Sequence, residues 1–174
     1  MDSQKKSLKN SLIEITKFLN ENSINYALIG GIAYSIFCEP RATYDIDFIV
    51  DIENFNDFLK ILKKNDKFIN IHKEPMKFKN ALIERVIYEN NIIVDFLIAD
   101  DEFKRNVLSR KIGIKIDNQV IFIVKIEDLI ILKLLSKREQ DYLDTKNLLK
   151  IQDLDFDYIR FWLEKLKIDF HKLL

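Results

Sequence analysis

The sequence predicts an α+β (mixed α/β) domain: an N-terminal helix, a mixed sheet flanked by helices, and a C-terminal helical segment. Three observations predict it. Apolar residues recur at helical spacing at both ends of the chain. Two pairs of short apolar runs in the middle are each divided by a polar triplet, Glu89-Asn90-Asn91 and Asp117-Asn118-Gln119. A glycine pair, Gly30-Gly31, joins an apolar run to a short helix-like one.

Taken in order, Leu8, Leu12, Ile15 and Leu19 place the first helix over about 7–20. "NYALIG" is a short strand that ends at the glycines, and "IAYSIF" is a short helix closed by Pro40. "YDIDFIV" is a strand, and Phe55, Phe58, Leu59 and Leu62 mark a helix ending near Asn65. "ALIERVIY" with "IIVDFLIA", and "IGIKI" with "VIFIV", are hairpins on either side of a short helix, "DEFKRNVLSR". From Ile126 the period is helical to the end, in three pieces over about 126–137, 139–150 and 155–167.

Bulk properties exclude several classes. The 174 residues are 48% hydrophobic and 32% charged, enough for one packed domain. Lys+Arg and Asp+Glu number 28 each, so net charge gives no argument for non-specific nucleic-acid binding. Lys60, Lys63, Lys64 and Lys67 could form a local basic patch, although such a run more often marks a solvated helix face. Cys38 is the single cysteine, which rules out an intrachain disulfide and fits a cytoplasmic protein. The opening "MDSQKKSLKNSLIEITKF" lacks the continuous apolar segment of a signal peptide, and no apolar run approaches the roughly 20 residues of a membrane span.

The chemistry is concentrated in three aspartates. Residues i and i+2 of a strand share a face, so Asp45 and Asp47 point the same way, roughly 6–7 Å apart at Cα, while Ile46, Phe48 and Val50 point into the core. Two carboxylates on one face repel, and a divalent cation relieves the repulsion; Mg²⁺ suits one or two carboxylates plus substrate phosphates. Asp95 sits inside the apolar run "IIVDFLIA". If its strand lies beside that of Asp45, three carboxylates converge and could hold two ions roughly 3.5–4 Å apart for in-line phosphoryl displacement, with Asp95 the better candidate for the base. The bland alternative is a pair of edge-exposed aspartates.

The surrounding residues carry the same ambiguity. Gly30 and Gly31 could let a phosphate approach the helix N-terminus, or only make a tight turn. Arg41 could neutralise a triphosphate, or pair with Asp45 or Asp47; Thr43 could cap a turn. Lys133 lies among apolar residues in "LIILKLLS" and either snorkels outward or faces a polar site. Asp141 could orient Lys133, or only favour a helix N-terminus. Asp153, Asp155, Asp157 and Glu164 mimic a calcium loop, but Tyr158 replaces its required glycine. His72 and His171 are isolated and form no zinc pattern.

Together, the Gly-Gly turn, the run R-x-T-x-D-I-D and the later strand aspartate resemble the nucleotidyltransferase fold of the DNA polymerase β type. The late stretch "KIEDLIILKLLSKREQDYLD" is similar to the minimal nucleotidyltransferases of the AbiEii abortive-infection toxin group and related bacterial domains. The resemblance covers about Tyr26 to Asp144, and Pro40 departs from the small residue usual before the arginine. It implies a nucleotidyltransferase core over 1–125, with the helical segment 126–174 packed on it and completing the active site. It further implies that Asp45, Asp47 and Asp95 bind Mg²⁺, and that Gly30, Gly31, Arg41, Thr43 and Lys133 bind the NTP. Asp45, Asp47, Asp95, Lys133 and Asp141 would be catalytic. The expected reaction is transfer of NMP to a hydroxyl of tRNA, protein or a small, antibiotic-type molecule, the first two in a toxin paired with an antitoxin. A non-catalytic nucleotide-binding or interaction module on the same fold is the alternative.

Overall fold

A computed structural model describes residues 2–169, with side chains from Leu8 onward except Asn90. Its elements run α1 (Asp2–Glu21), β1 (Asn25–Leu28), α2 (Gly30–Phe37), β2 (Asp45–Asp51), α3 (Phe55–Leu62), β3 (Met76–Phe78), β4 (Ala81–Tyr88), β5 (Ile92–Ile98), α4 (Glu102–Ser109), β6 (Ile112–Ile116), β7 (Gln119–Ile123), α5 (Ile126–Ser136), α6 (Glu139–Leu148) and α7 (Phe156–Lys165). The mixed α/β class and every element expected from the sequence are present, with ends shifted by a few residues. Glycine 30 belongs to the helix rather than to the strand, because the first helical turn begins there. The triplet Glu89–Asn91 closes its hairpin as one 3₁₀ turn.

Seven strands form one sheet in the order β3-β4-β5-β2-β1-β7-β6. Two of its neighbour pairs are parallel, β2 with β5 and β1 with β7, and the others are antiparallel. The strand β3 has no expected counterpart. It is three residues long and mostly exposed, so it carries no apolar alternation, and it exists by pairing with β4 through Met76, Lys77 and Phe78.

The two faces of the sheet do different work. Ile46, Phe48 and Val50 are fully buried, as the alternation of β2 requires. Phe96 is the hub of that side: it stacks on Phe48 at 5.8 Å between centroids, and meets Phe58 of α3 edge-on at 5.3 Å and Phe68 at 6.3 Å. Offset and edge-to-face pairs of this kind add to the apolar area that each ring buries. The opposite face of β2 carries Asp45 and Asp47, and α2 packs there. The C-terminal helices return to the same region, α5 and α6 both lying against α2.

Two secondary expectations resolve simply. Asp155 accepts a hydrogen bond from the Tyr158 backbone N–H at 2.9 Å and caps α7, so the calcium-like spacing is a helix start. Among the described residues, Lys67 pairs with Glu14 and Glu89, and Lys60 pairs with Asp57, which partly neutralises the candidate basic patch. No described helix is long and apolar enough to cross a membrane. His171 lies outside the described residues.

Replacing Phe96 with Ala should cost about 3–5 kcal/mol, because three ring contacts disappear from a site closed on all sides. Urea unfolding of the two chains measures it.

Candidate active site

The site begins with strand register. Asp47 pairs with Asp95 across the parallel ladder, and Asp45 pairs with Ile93. Paired residues share a face, so all three carboxylates lie on the side of the sheet opposite Phe48 and Phe96. The expected neighbourhood of the Asp45 and Asp95 strands is therefore present.

Around these strands the backbone is drawn close. The Ile29 N–H donates to the Asp47 carbonyl at 2.9 Å, fastening the end of β1 to β2. The next residue, Gly30, has φ +68°, and a Cβ there would sit 1.9 Å from Asp47 Oδ2. Only glycine accepts both the left-handed backbone and that approach. A Cβ on Gly31 would meet Thr43 Oγ1 at 2.7 Å. The pair is thus more than a tight turn: it seats α2 against the carboxylates. Ile29, the residue before α2, offers no side-chain acceptor, so the N–H groups of the first turn have no side-chain cap.

Thr43 donates its hydroxyl to Asp45 Oδ1 at 2.7 Å rather than capping a turn. Among the described residues, Asp47 has no such donor. Burial, then the charges of Asp45 and Asp95, push its carboxyl from 3.8 up to about 7, against the pull of Arg138 and Lys133.

Lys133 does not snorkel. It is 4% exposed on α5 and donates to Asp141 at 2.9 Å and Asp144 at 2.7 Å, both on α6. Snorkelling fails because the helix is covered on the side of Lys133, and the two buried carboxylates compensate its charge there. Asp141 also accepts from Ser136, and from Arg138 Nε at 2.6 Å. Burial works to raise the Asp141 carboxyl, but the Ser136 hydrogen bond and Lys133 win and hold it below the ordinary range. Asp144 is likewise lowered despite burial, by Arg41, Lys133 and Gln140.

Arg41 pairs with neither Asp45 nor Asp47. Its guanidinium forms a two-pronged contact with Asp144, Nε at 3.1 Å and Nη2 at 2.9 Å. A chain of alternating charge results: Arg41, Asp144, Lys133, Asp141, Arg138. It joins the loop before β2 to α5 and α6, and its cations bias the adjacent carboxylates.

Two partners were hidden from the sequence. Asp144 is one, since an acidic residue near the start of a helix reads as a dipole contact. Arg85 is the other. It stands opposite Asp95 on β4 and holds both its carboxylate oxygens, at 2.8 and 2.7 Å. Among the described residues no three His, Cys, Asp or Glu side chains already stand as a metal cluster. The donor set still fits a hard cation: oxygen ligands, mutual repulsion and, among the described residues, no hydrogen-bond donor to Asp47. Beside it a cleft of about 1030 Å³ runs from Lys133 and Arg138 past Tyr142 to Phe78 and Ala81.

Residues 6–171 match the family described as "Nucleotidyltransferase of unknown function (DUF6036)". The chain belongs to this family.

Solved structures agree in fold. The chain is similar to an antigenic nucleotidyltransferase-like protein from Paracoccidioides brasiliensis, at 16% identity and a TM-score of 0.59, covering 95% of this chain and 91% of that one. It is similar to the lincosamide antibiotic adenylyltransferase LnuA with lincomycin bound, at 14% identity and a TM-score of 0.57, covering 82% and 97%. It is also similar to the antibiotic-resistance factor ANT(2'')-Ia, at 11% identity and a TM-score of 0.61, covering 96% and 93%. At these identities the likeness shows the fold alone. No curated protein matches the sequence. The nucleotidyltransferase superfamily implied by the sequence resemblance is thus shown for this DUF6036 chain.

Two outcomes follow. Asp47 titrates near 3.8 when unfolded and near 7 when folded, so its ionised form costs stability above about pH 7. That cost is relieved as pH falls from about 7 towards 3.8, because the folded state then binds the proton more tightly than the unfolded chain. In metal-free buffer at pH 8, Asp47→Asn should raise Tm by about 2–4 °C, with a smaller gain at pH 5; differential scanning calorimetry reads both. Lys133→Met should instead cost about 3–5 kcal/mol at pH 7, because it strips a charge from two buried carboxylates; chemical denaturation checks it.

Proposed function

We propose that this chain is a Mg²⁺-dependent nucleotidyltransferase that moves NMP from an NTP to a hydroxyl acceptor. The observation that carries this reading is Asp47 opposite Asp95 on parallel strands, with Asp45 on the same face and Gly30 and Gly31 packed against them. A complete set of carboxylates disfavours the non-catalytic module.

Asp45 and Asp47, with Asp95 alongside, would hold a divalent cation, which when bound would supply positive charge for the triphosphate and offset the carboxylate repulsion. The chain's own residues do the rest. The uncapped first turn of α2 offers N–H groups to phosphate oxygens, and the absence of side chains at Gly30 and Gly31 permits close approach. Thr43 holds Asp45 in its orientation. Arg41 orders the loop before β2 by its grip on Asp144. Lys133, fixed by Asp141 and Asp144, adds positive potential next to Asp47. Asp95 takes the proton of the attacking hydroxyl. The acceptor oxygen bonds to the α-phosphorus as the bond to pyrophosphate breaks, and pyrophosphate leaves with the electron pair. In this reading the helices after residue 125 complete the active site, since they bring Lys133, Asp141 and Asp144 to it.

The cleft bears on the acceptor. Its volume is that of a small-molecule site, and it opens beside Lys133 and Arg138. This favours a compact hydroxylated acceptor, the class to which the lincomycin bound in one structural neighbour belongs. The reading as a toxin of the abortive-infection type, acting on tRNA or protein and silenced by an antitoxin, rests on the late motif around Lys133, Arg138 and Asp141.

The test is transfer of label from each α-labelled NTP, with Mg²⁺, to total tRNA, to lysate protein or to a panel of hydroxylated small molecules. Label should appear in one class, and Asp45→Ala/Asp47→Ala should lower it by about 10²–10³-fold or more. No label and no Mg²⁺-dependent NTP binding would sink the catalytic reading.

A further inference from the structure

The third carboxylate differs from the other two. Asp45 accepts from a neutral hydroxyl and Asp47, among the described residues, from no donor, but Asp95 is taken by a full positive charge. Arg85 lies directly across the antiparallel β4–β5 ladder, on the same face, so no rotation of either strand is needed for the contact. Both oxygens are engaged in the parallel, two-pronged geometry that fixes a carboxylate most firmly. The Asp95 side chain is 12% exposed and that of Arg85 49%, so the pair sits at the mouth of the site with its anion inside. A rigid fork of this kind cannot be replaced by a lysine without losing one prong.

We infer that Arg85 serves as the fixed counter-charge of Asp95, so that this nucleotidyltransferase works with one divalent cation, held by Asp45 and Asp47, and Arg85 in place of a second. The inference rests on the metal-dependent reading above. A cation that bridged all three carboxylates would have to share Asp95 with a guanidinium already bound to both its oxygens, positive charge against positive charge. With Arg85 in place, each oxygen of Asp95 still keeps a lone pair for a proton, and the charge of Asp95 is balanced without a second ion. Arg85 is then a positioning residue: it acts through Asp95, whose two oxygens it holds. The guanidinium is itself raised above its ordinary range, first by this hydrogen bond.

Counting ions tests it. The full chain is dialysed to equilibrium with Mn²⁺ and, in turn, the non-hydrolysable α,β-methylene analogues of ATP, GTP, CTP and UTP. Bound Mn²⁺ is then measured per bound nucleotide. The native chain should hold one Mn²⁺ per nucleotide. Arg85→Gln should hold two, the second at least about tenfold tighter than any second ion of the native chain. Arg85→Lys, which keeps the charge with one prong, should stay at one. Thermal melts of both variants confirm that folded protein is being counted. Two ions per nucleotide in the native chain would overturn the inference and leave the metal-dependent reading standing. One ion in both the native chain and Arg85→Gln would also overturn it, since Arg85 would not be what excludes the second. Neither nucleotide nor Mn²⁺ bound would overturn the underlying reading itself.

Discussion

Phe48 and Phe96 stack on one face of the sheet, and the same parallel register sets Asp47 beside Asp95 on the other. The two facts are one constraint. A slip of one residue between β2 and β5 would turn every side chain of the slipped strand to the opposite face. It would drive Asp95 among Phe58 and Phe68 and lift Phe96 onto the site. The aromatic cluster therefore fixes the carboxylates as firmly as it fills the core, and the chemistry inherits its geometry from apolar packing. Arg85 depends on the same register, since its place opposite Asp95 follows from β4 pairing with β5.

Onto this frame the C-terminal helices add charge rather than shape. Lys133, Asp141 and Asp144 are all buried, an arrangement tolerable only because each has partners of opposite sign. Arg41 and Arg138 extend the alternation outward, giving three cations to two anions. The surplus positive charge lies next to two carboxylates that repel each other, one of which is pushed up to about 7. Repulsion in the strands and compensation in the helices are complementary, the charge pattern on which the proposed metal-dependent reading relies.

The fold is largely legible in the sequence because most of its strands carry runs of apolar residues bounded by polar turns. Asp45, Asp47 and Asp95 stood out for a physical reason: a carboxylate inside an apolar strand demands compensation. The glycine pair and Thr43 were visible as residues but not as contacts, since proximity to Asp47 and Asp45 arises only when β1 and β2 pair. Lys133 was read as ambiguous because the sequence shows its neighbours on α5 but not the carboxylates that α6 folds back onto it. Arg85 stayed hidden for the complementary reason. An arginine in "ALIERVIY" looks like the polar side of an edge strand, and nothing local reveals that it faces Asp95. The strand β3 is too short and too polar to carry a period.

Gly30 has a consequence for relatives of this chain. Its left-handed backbone and its distance to Asp47 tie two positions that are seventeen residues apart in "GGIAYSIFCEPRATYDID". A side chain at 30 and a carboxylate at 47 cannot occupy the same space, so substitutions at the two sites are not independent. A lineage that gains a Cβ at the first site must shorten or displace the second, and with it abandon the carboxylate pair. A single backbone position therefore serves as a marker for divergence: a relative that keeps this architecture but carries a bulky residue there is expected to have moved or replaced the carboxylate at 47.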